Sequence, residues 1–253
     1  MKKQIALSFK SVTILLIFLS SVVACSGPQA EDLANSTENG SFNDQSSGGG
    51  SEEVGVGPEN PGEGDDPTPT APTTPEIRTA RWEGVSGGRA WTIFTYQTLK
   101  DYTPALFTLA PRDVASFCPN YSNLDEYERR DFWVYLISAM AYFESGFDPS
   151  TDYREAFNDS HGNPVISKGL LQISDESARG YGCAVANTRS LYDPEINLDC
   201  TIRILKRWVD RDGVISGKSG SRWRGGARYW AVLRKTSTLS NIKAWTRSQS
   251  YCR

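Results

Sequence analysis

Histidine is nearly missing from this 253-residue chain: it has one, His161. Its five cysteines contain no Cys-x-x-Cys pair. Together these absences exclude the usual structural zinc site and a His-rich metallopeptidase or amidase centre, so neither a metal nor another cofactor is expected. His161 reads as a loop residue rather than half of a Cys–His nucleophilic pair. No Lys/Arg-rich run and no nucleic-acid motif occur, so DNA and RNA are not expected partners. There is no internal repeat. The longest N-terminal apolar run, Val12 to Leu19, falls short of the about 20 residues that a membrane-spanning helix needs.

That short run has another reading. Lys2 and Lys3 precede it and small residues follow, the pattern of an export signal. Val22-Val23-Ala24-Cys25 resembles the bacterial lipobox, in which the cysteine becomes the acylated first residue of the mature protein. Acylation at Cys25 anchors a protein to a membrane without spanning it. The next residue is Ser26, not Asp, which in the usual sorting pattern implies the periplasmic face of the outer membrane.

Residues 26–78 lack apolar periodicity and are rich in Gly, Ser, Pro, Asp, Glu and Thr. Such a segment buries too little apolar surface to offset its ordering entropy. As a flexible coil it reaches roughly 40 Å. The expected organisation is therefore a signal peptide over 1–24, an acylated cysteine and acidic tether over 25–78, and one folded domain over 79–253. The tether holds 11 acidic residues and a single basic one, Arg78. The folded part keeps 23 basic and 19 acidic residues, a net charge of +4 hidden beneath the overall −3. A mildly basic domain suits an anionic polymer such as a cell wall.

Four cysteines remain in the folded part: Cys118, Cys183, Cys200 and Cys252. In an exported domain an even count implies two disulfides. Three connectivities are possible. We expect Cys183 with Cys200 and Cys118 with Cys252, the second tying the C-terminus back to the domain.

About 175 residues suffice for one core, and a monomer is expected. Trp91 to Leu99 fits a helix or a strand. Pro111 to Phe117 reads as a short helix stopped at Cys118-Pro119. From Asp125 to Glu144, residues Phe132, Leu136, Ala139, Met140 and Phe143 recur at helical spacing. Glu126, Glu128, Arg129 and Arg130 are expected in exposed first turns, and Gly146 as a left-handed cap. The polar stretch 147–168 is expected to hold a small hairpin. A helix starts after Ser174, capped by it and favoured by Asp175 and Glu176. Another runs from Asp193 or Pro194 to about Asp212, ended by Gly213. Gly225 to Lys235 and Leu239 to Arg247 read as shorter helices. The fold class is mainly α, with a small hairpin.

Two motifs carry the chemistry. Glu144-Ser145-Gly146 closes the apolar helix. Tyr142, Phe143 and Phe147 flank the carboxyl and desolvate it, and the helix C-terminus disfavours negative charge there. Both effects raise its pKa, as a general acid for glycoside cleavage requires. Gly169-Leu170-Leu171-Gln172-Ile173-Ser174 is a rigid strip for holding a polymer: Gly169 permits close approach or an unusual φ, and Gln172 offers both donor and acceptor.

The segment Ala139 to Pro149, followed by Ser167 to Ser174, resembles the soluble lytic transglycosylases, a family related to goose-type lysozymes. The resemblance covers roughly 125–247. It implies a lysozyme-like helical domain, with the hairpin between the catalytic helix and the Gly-Leu-Leu-Gln motif. It also implies cleavage of the β-1,4 bond between N-acetylmuramic acid and N-acetylglucosamine in peptidoglycan glycan strands. By this match Glu144 is the acid/base and Ser145 orients it. Gly169, Leu171, Gln172 and Ile173 line the cleft. A third family motif, a tyrosine often before Asn-Gly, has its counterpart in Tyr229, although the Asn-Gly is absent. Trp223 and Trp230 are candidates for sugar stacking, with a buried aromatic as the plainer reading of each.

The chain departs from the family between its motifs, where 150–168 carries Asp152, Glu155 and Asp159. Lytic transglycosylases need one carboxyl, because the substrate's own C6 hydroxyl attacks and leaves a 1,6-anhydro end. Hydrolases usually add a second carboxylate to position water. The resemblance makes the 1,6-anhydro-forming reaction the leading expectation; hydrolysis with Glu155 as the second carboxylate is the alternative. The acidic residues also suit a cationic glycan lacking N-acetyl groups. A non-catalytic wall-binding lipoprotein on the same fold is the competing class.

Overall fold

The computed structural model describes residues 76–102 and 110–253. The export signal, Cys25 and most of the tether lie outside the described residues. Arg78, placed by sequence in the tether, is bonded to the domain: its guanidinium pairs with Glu128 at 3.0 Å and lies 4.7 Å from the Tyr251 ring centre.

The segment left undecided around Trp91 is helix α1, Gly88–Tyr102. Trp91, Thr95 and Leu99 recur at four-residue spacing and are buried, so helical packing decides against strand. The helix expected at Pro111 to Phe117 is only a 3₁₀ turn over Val114–Ser116.

Helix α2 spans Glu126–Glu144, with the Asp125 side chain accepting from the Glu128 backbone N–H at 2.8 Å. It differs from the one-faced helix expected. Trp133, Val134, Ile137, Ser138 and Ala141 are buried as well as Phe132, Leu136, Ala139 and Met140. Phe143 is only partly buried. The helix is central, enclosed by α1 and by α5 (Thr236–Arg247). Arg130, expected in solvent, is 5% exposed, over the rings of Tyr96 and Tyr127, with Glu126 at 3.3 Å.

A three-stranded antiparallel sheet follows, in the order β1 (Asp152–Asn158), β2 (Pro164–Lys168), β3 (Ile173–Ser174). Helix α3 (Asp175–Gly180) starts at Ser174, whose hydroxyl caps Ser177 N–H. Helix α4 (Pro194–Asp212) has Asp193 as N-cap, Pro194 in its first turn and Gly213 as a left-handed cap. Disulfides join Cys118 to Cys252 and Cys183 to Cys200.

The sequence reading missed a second hairpin, β4 (Ser216–Ser219) with β5 (Arg222–Gly225). Its strands are polar and short, so apolar alternation gave no signal. The helix expected from Gly225 to Lys235 is two 3₁₀ turns, Gly226–Arg228 and Ala231–Leu233. Arg234 accounts for the break. Its guanidinium donates to the carbonyls of Ala227, Arg228 and Tyr229, acceptors that a continuous helix would have satisfied itself. No helix among the described residues is long and apolar enough to cross a membrane.

Candidate active site

Glu144 is the last residue of α2. The chain then reverses through two left-handed residues, Gly146 (φ 62°) and Phe147 (φ 72°). Phe147 pays a steric cost there that glycine does not. Ser145 supports the turn: its hydroxyl donates to Ala141 O at 3.3 Å and accepts from Phe147 N–H at 3.2 Å. It therefore positions Glu144 by shaping the turn behind it rather than by bonding the carboxyl.

The turn delivers the chain to β1. Glu155, on β1, accepts a 2.6 Å hydrogen bond from the Ser167 hydroxyl on β2. The charges of Glu155 and Glu144 act on one another. Glu144 as a residue is half-buried, yet its Oε1 is sealed from solvent and has no partner among the described residues. Burial first, then the Glu155 charge, push its pKa up to about 8. The Arg234 charge and the Val232 backbone N–H oppose that rise. A carboxyl raised this far holds a proton at neutral pH, with the Glu155 charge helping to keep it there.

The other acidic residues of the intervening segment are committed elsewhere. Asp152 accepts from the Tyr192 hydroxyl, and Asp159 organises the hairpin turn by accepting from the backbones of His161 and Asn163. His161 lies exposed in that turn.

Gln172 is 9% exposed and left-handed, at φ 50°. Its Nε2 donates to Gly169 O at 2.8 Å and Thr151 O at 3.1 Å, stapling the turn to the start of β1. Its Oε1 is buried and without a partner among the described residues. Gly169 serves the fold. At φ 73°, a Cβ there would meet Leu191 O at 2.1 Å and Asn197 Nδ2 at 2.4 Å. The unusual φ expected there is present, and the close approach is to the Leu191 carbonyl and the Asn197 side chain. Leu171 and Ile173, expected to line the cleft, are wholly buried. The backbone of Leu171 is also engaged: its N–H donates to Asn197 Oδ1 and its carbonyl accepts from Trp230 Nε1, both at 2.9 Å. Trp230 is thus a core pin, at 2% exposure, and no sugar platform.

Tyr229 feels the charges of Glu144 and Glu155. Burial holds its pKa at about 12; the Ser177 side chain and the Ser174 backbone are its hydrogen-bonding partners, and both glutamates act on it electrostatically. Its ring meets Tyr181 and Trp230 edge-on.

Three positioning residues escaped the sequence reading. Ser167 holds Glu155. Asn197, fully buried on α4, fixes the Gly169 turn through Lys168 O, Leu191 O and Leu171 N–H. Arg234 holds the loop that carries Tyr229. A polar residue between Ile196 and Leu198 on an inward helical face was the available signal for Asn197. No cluster of metal-ligating side chains occurs among the described residues.

Comparison with known proteins gives a consistent answer. The transglycosylase SLT domain family matches residues 123–223. The solved structure "Bd0314 DslA wild-type form 2" is 45% identical, with a TM-score of 0.67 over 71% of this chain and all of that one. Two further structures are glutamate-to-glutamine mutants of the same protein, 44% and 45% identical with the same coverage and TM-score; their replaced positions lie eleven apart. No curated protein matches the chain.

Proposed function

The chain belongs to the transglycosylase SLT domain family, and from that premise we propose that it cleaves peptidoglycan glycan strands with Glu144 as general acid and Glu155 as the second carboxylate. Membership carries lytic-transglycosylase-type peptidoglycan cleavage in general. The finer reading rests on one observation: a proton-holding Glu144 electrostatically coupled to a Glu155 that is held in place by Ser167. Glu144 and Glu155 are eleven apart, the spacing of the two glutamates replaced in the DslA mutants.

In this mechanism Glu144 gives its proton to the oxygen of the β-1,4 bond between N-acetylmuramic acid and N-acetylglucosamine as that bond breaks. Positive charge develops on the anomeric carbon. Glu155 orients a water and accepts its proton as the water attacks, leaving a reducing sugar end. Gln172 holds the turn beside β1 through its amide, and Tyr229 borders the pair.

The family name favours a second reading, in which the sugar's own C6 hydroxyl attacks and leaves a 1,6-anhydro end. Purified walls digested with the protein and analysed by mass spectrometry separate the two. Reducing ends support Glu155 as the water-positioning group. Ends lighter by one water refute that role and leave Glu144 as the sole catalytic carboxyl. The lipobox at Cys25 and the acidic tether support placing this activity on the periplasmic face of the outer membrane, within reach of the wall.

A further inference from the structure

Tyr153 is the most exposed large hydrophobic side chain among the described residues, at 61%. The other exposed aromatics have partners. Tyr127 lies under Arg130, and Tyr142 packs against Phe143, Phe147, Trp245 and Arg81. The Tyr153 side chain has no ring contact and no hydrogen bond among the described residues. Burying a ring stabilises a fold, so an aromatic left open on a strand contributes little to folding.

Its position is informative. In the β1–β2 register Tyr153 is directly opposite Ser167. Cross-strand partners project to the same face of a sheet. The Ser167 hydroxyl in turn reaches Glu155, so Tyr153, Ser167 and Glu155 share that face. Tyr153 and Glu155 are two residues apart, roughly 7 Å along the strand. The ring and the second carboxylate therefore occupy neighbouring same-face positions of β1. β1 is also an edge strand, with nothing paired along its outer side among the described residues.

We propose that Tyr153 is a sugar-stacking subsite, on which the ring next to the cleaved bond lays its apolar C–H face. The proposal rests on the glycan-cleaving reading of Glu144 and Glu155. An aromatic ring suits this ligand because pyranose C–H groups carry partial positive charge and the ring face is negative. Tyrosine also retains a hydroxyl at its wet edge, which explains why the open position is tolerated.

The test is glycan binding by the Glu144→Gln protein, measured calorimetrically with peptide-free glycan oligomers from purified walls. Adding Tyr153→Ala weakens binding about tenfold, the loss expected for one ring face. Adding Tyr153→Phe leaves binding within about twofold. With Glu144 intact, Tyr153→Ala raises KM and leaves kcat and its pH profile nearly unchanged. Equal binding with and without the ring overturns the subsite. So does a Phe variant as weak as the Ala variant, because stacking needs no hydroxyl. A wild-type protein that leaves walls intact, while the tenfold difference persists, refutes the catalytic reading and upholds the subsite.

Discussion

Replacing Glu144 by Gln removes an ionisable group whose charged form the fold resists, and this has a consequence for stability. In the unfolded chain this carboxyl titrates near 4.5; in the folded protein it titrates near 8. Below pH 4.5 both states are protonated, and the wild type pays nothing for burying the group. Between pH 4.5 and 8 the unfolded chain ionises freely while the folded one cannot. Wild-type stability therefore falls as pH rises through that window, by about 1.4 kcal/mol per pH unit, and the loss is complete above pH 8. Glutamine has nearly the same shape and never ionises. At pH 7 the Glu144→Gln protein should exceed the wild type by about 3 kcal/mol, or roughly 6–12 °C in Tm for a domain of this size. At pH 4 the two should melt together. Calorimetry or circular dichroism on both proteins from pH 4 to 8 measures the gap. A gap that is constant across this range, or a variant less stable at pH 7, refutes the claim that the fold holds a protonated carboxyl here. The stabilised protein should be the inactive one, as expected where a site is built for chemistry at a cost to folding.

Glu155→Gln removes the neighbouring negative charge, so the Glu144 pKa falls and the alkaline limb of the pH–rate profile moves below pH 8; wall-clearing rates across pH 5–9 will show it. The same variant should lose about 10²–10⁴ in kcat if Glu155 handles the water's proton. Gly169→Ala forces a Cβ against Leu191 O and should cost about 2 kcal/mol or more, read as a lower urea midpoint. The double change Cys118→Ser with Cys252→Ser opens a link between positions 134 apart and should cost about 2–5 kcal/mol by denaturant unfolding.

Much of the fold was legible because it rests on local patterns. The apolar spacing of Phe132, Leu136 and Met140, the caps at Ser174 and Asp193, and the stop at Gly213 each follow from a few neighbouring residues. Long-range compensation was not legible. Arg234 turns an expected helix into two turns by taking carbonyls five to seven residues back, and the short β4–β5 hairpin is held by its ladder and by Asp212 bonding Gly225 and Arg224 from α4. Arg130 is buried because two tyrosines cover it, which no spacing along α2 announces. At the site, the helix end and its aromatic neighbours marked Glu144. The roles of the Gly169 to Ile173 strip were harder to read. A buried strip that supports a cleft and an exposed strip that lines one have the same sequence, and only the approach of Asn197 and Trp230 tells them apart. Glu155 was preferred over Asp152 and Asp159 from sequence, and the hydrogen bonds of those two give the preference a structural reason.

The measurement that bears most directly on the central claim is release of soluble glycan from purified walls by the wild type and by Glu144→Gln at neutral pH. If Glu144 supplies the proton, the wild type releases glycan and the variant falls by about 10²–10⁴, while still sedimenting with the walls. Glycan release by the variant at the wild-type rate would contradict the account.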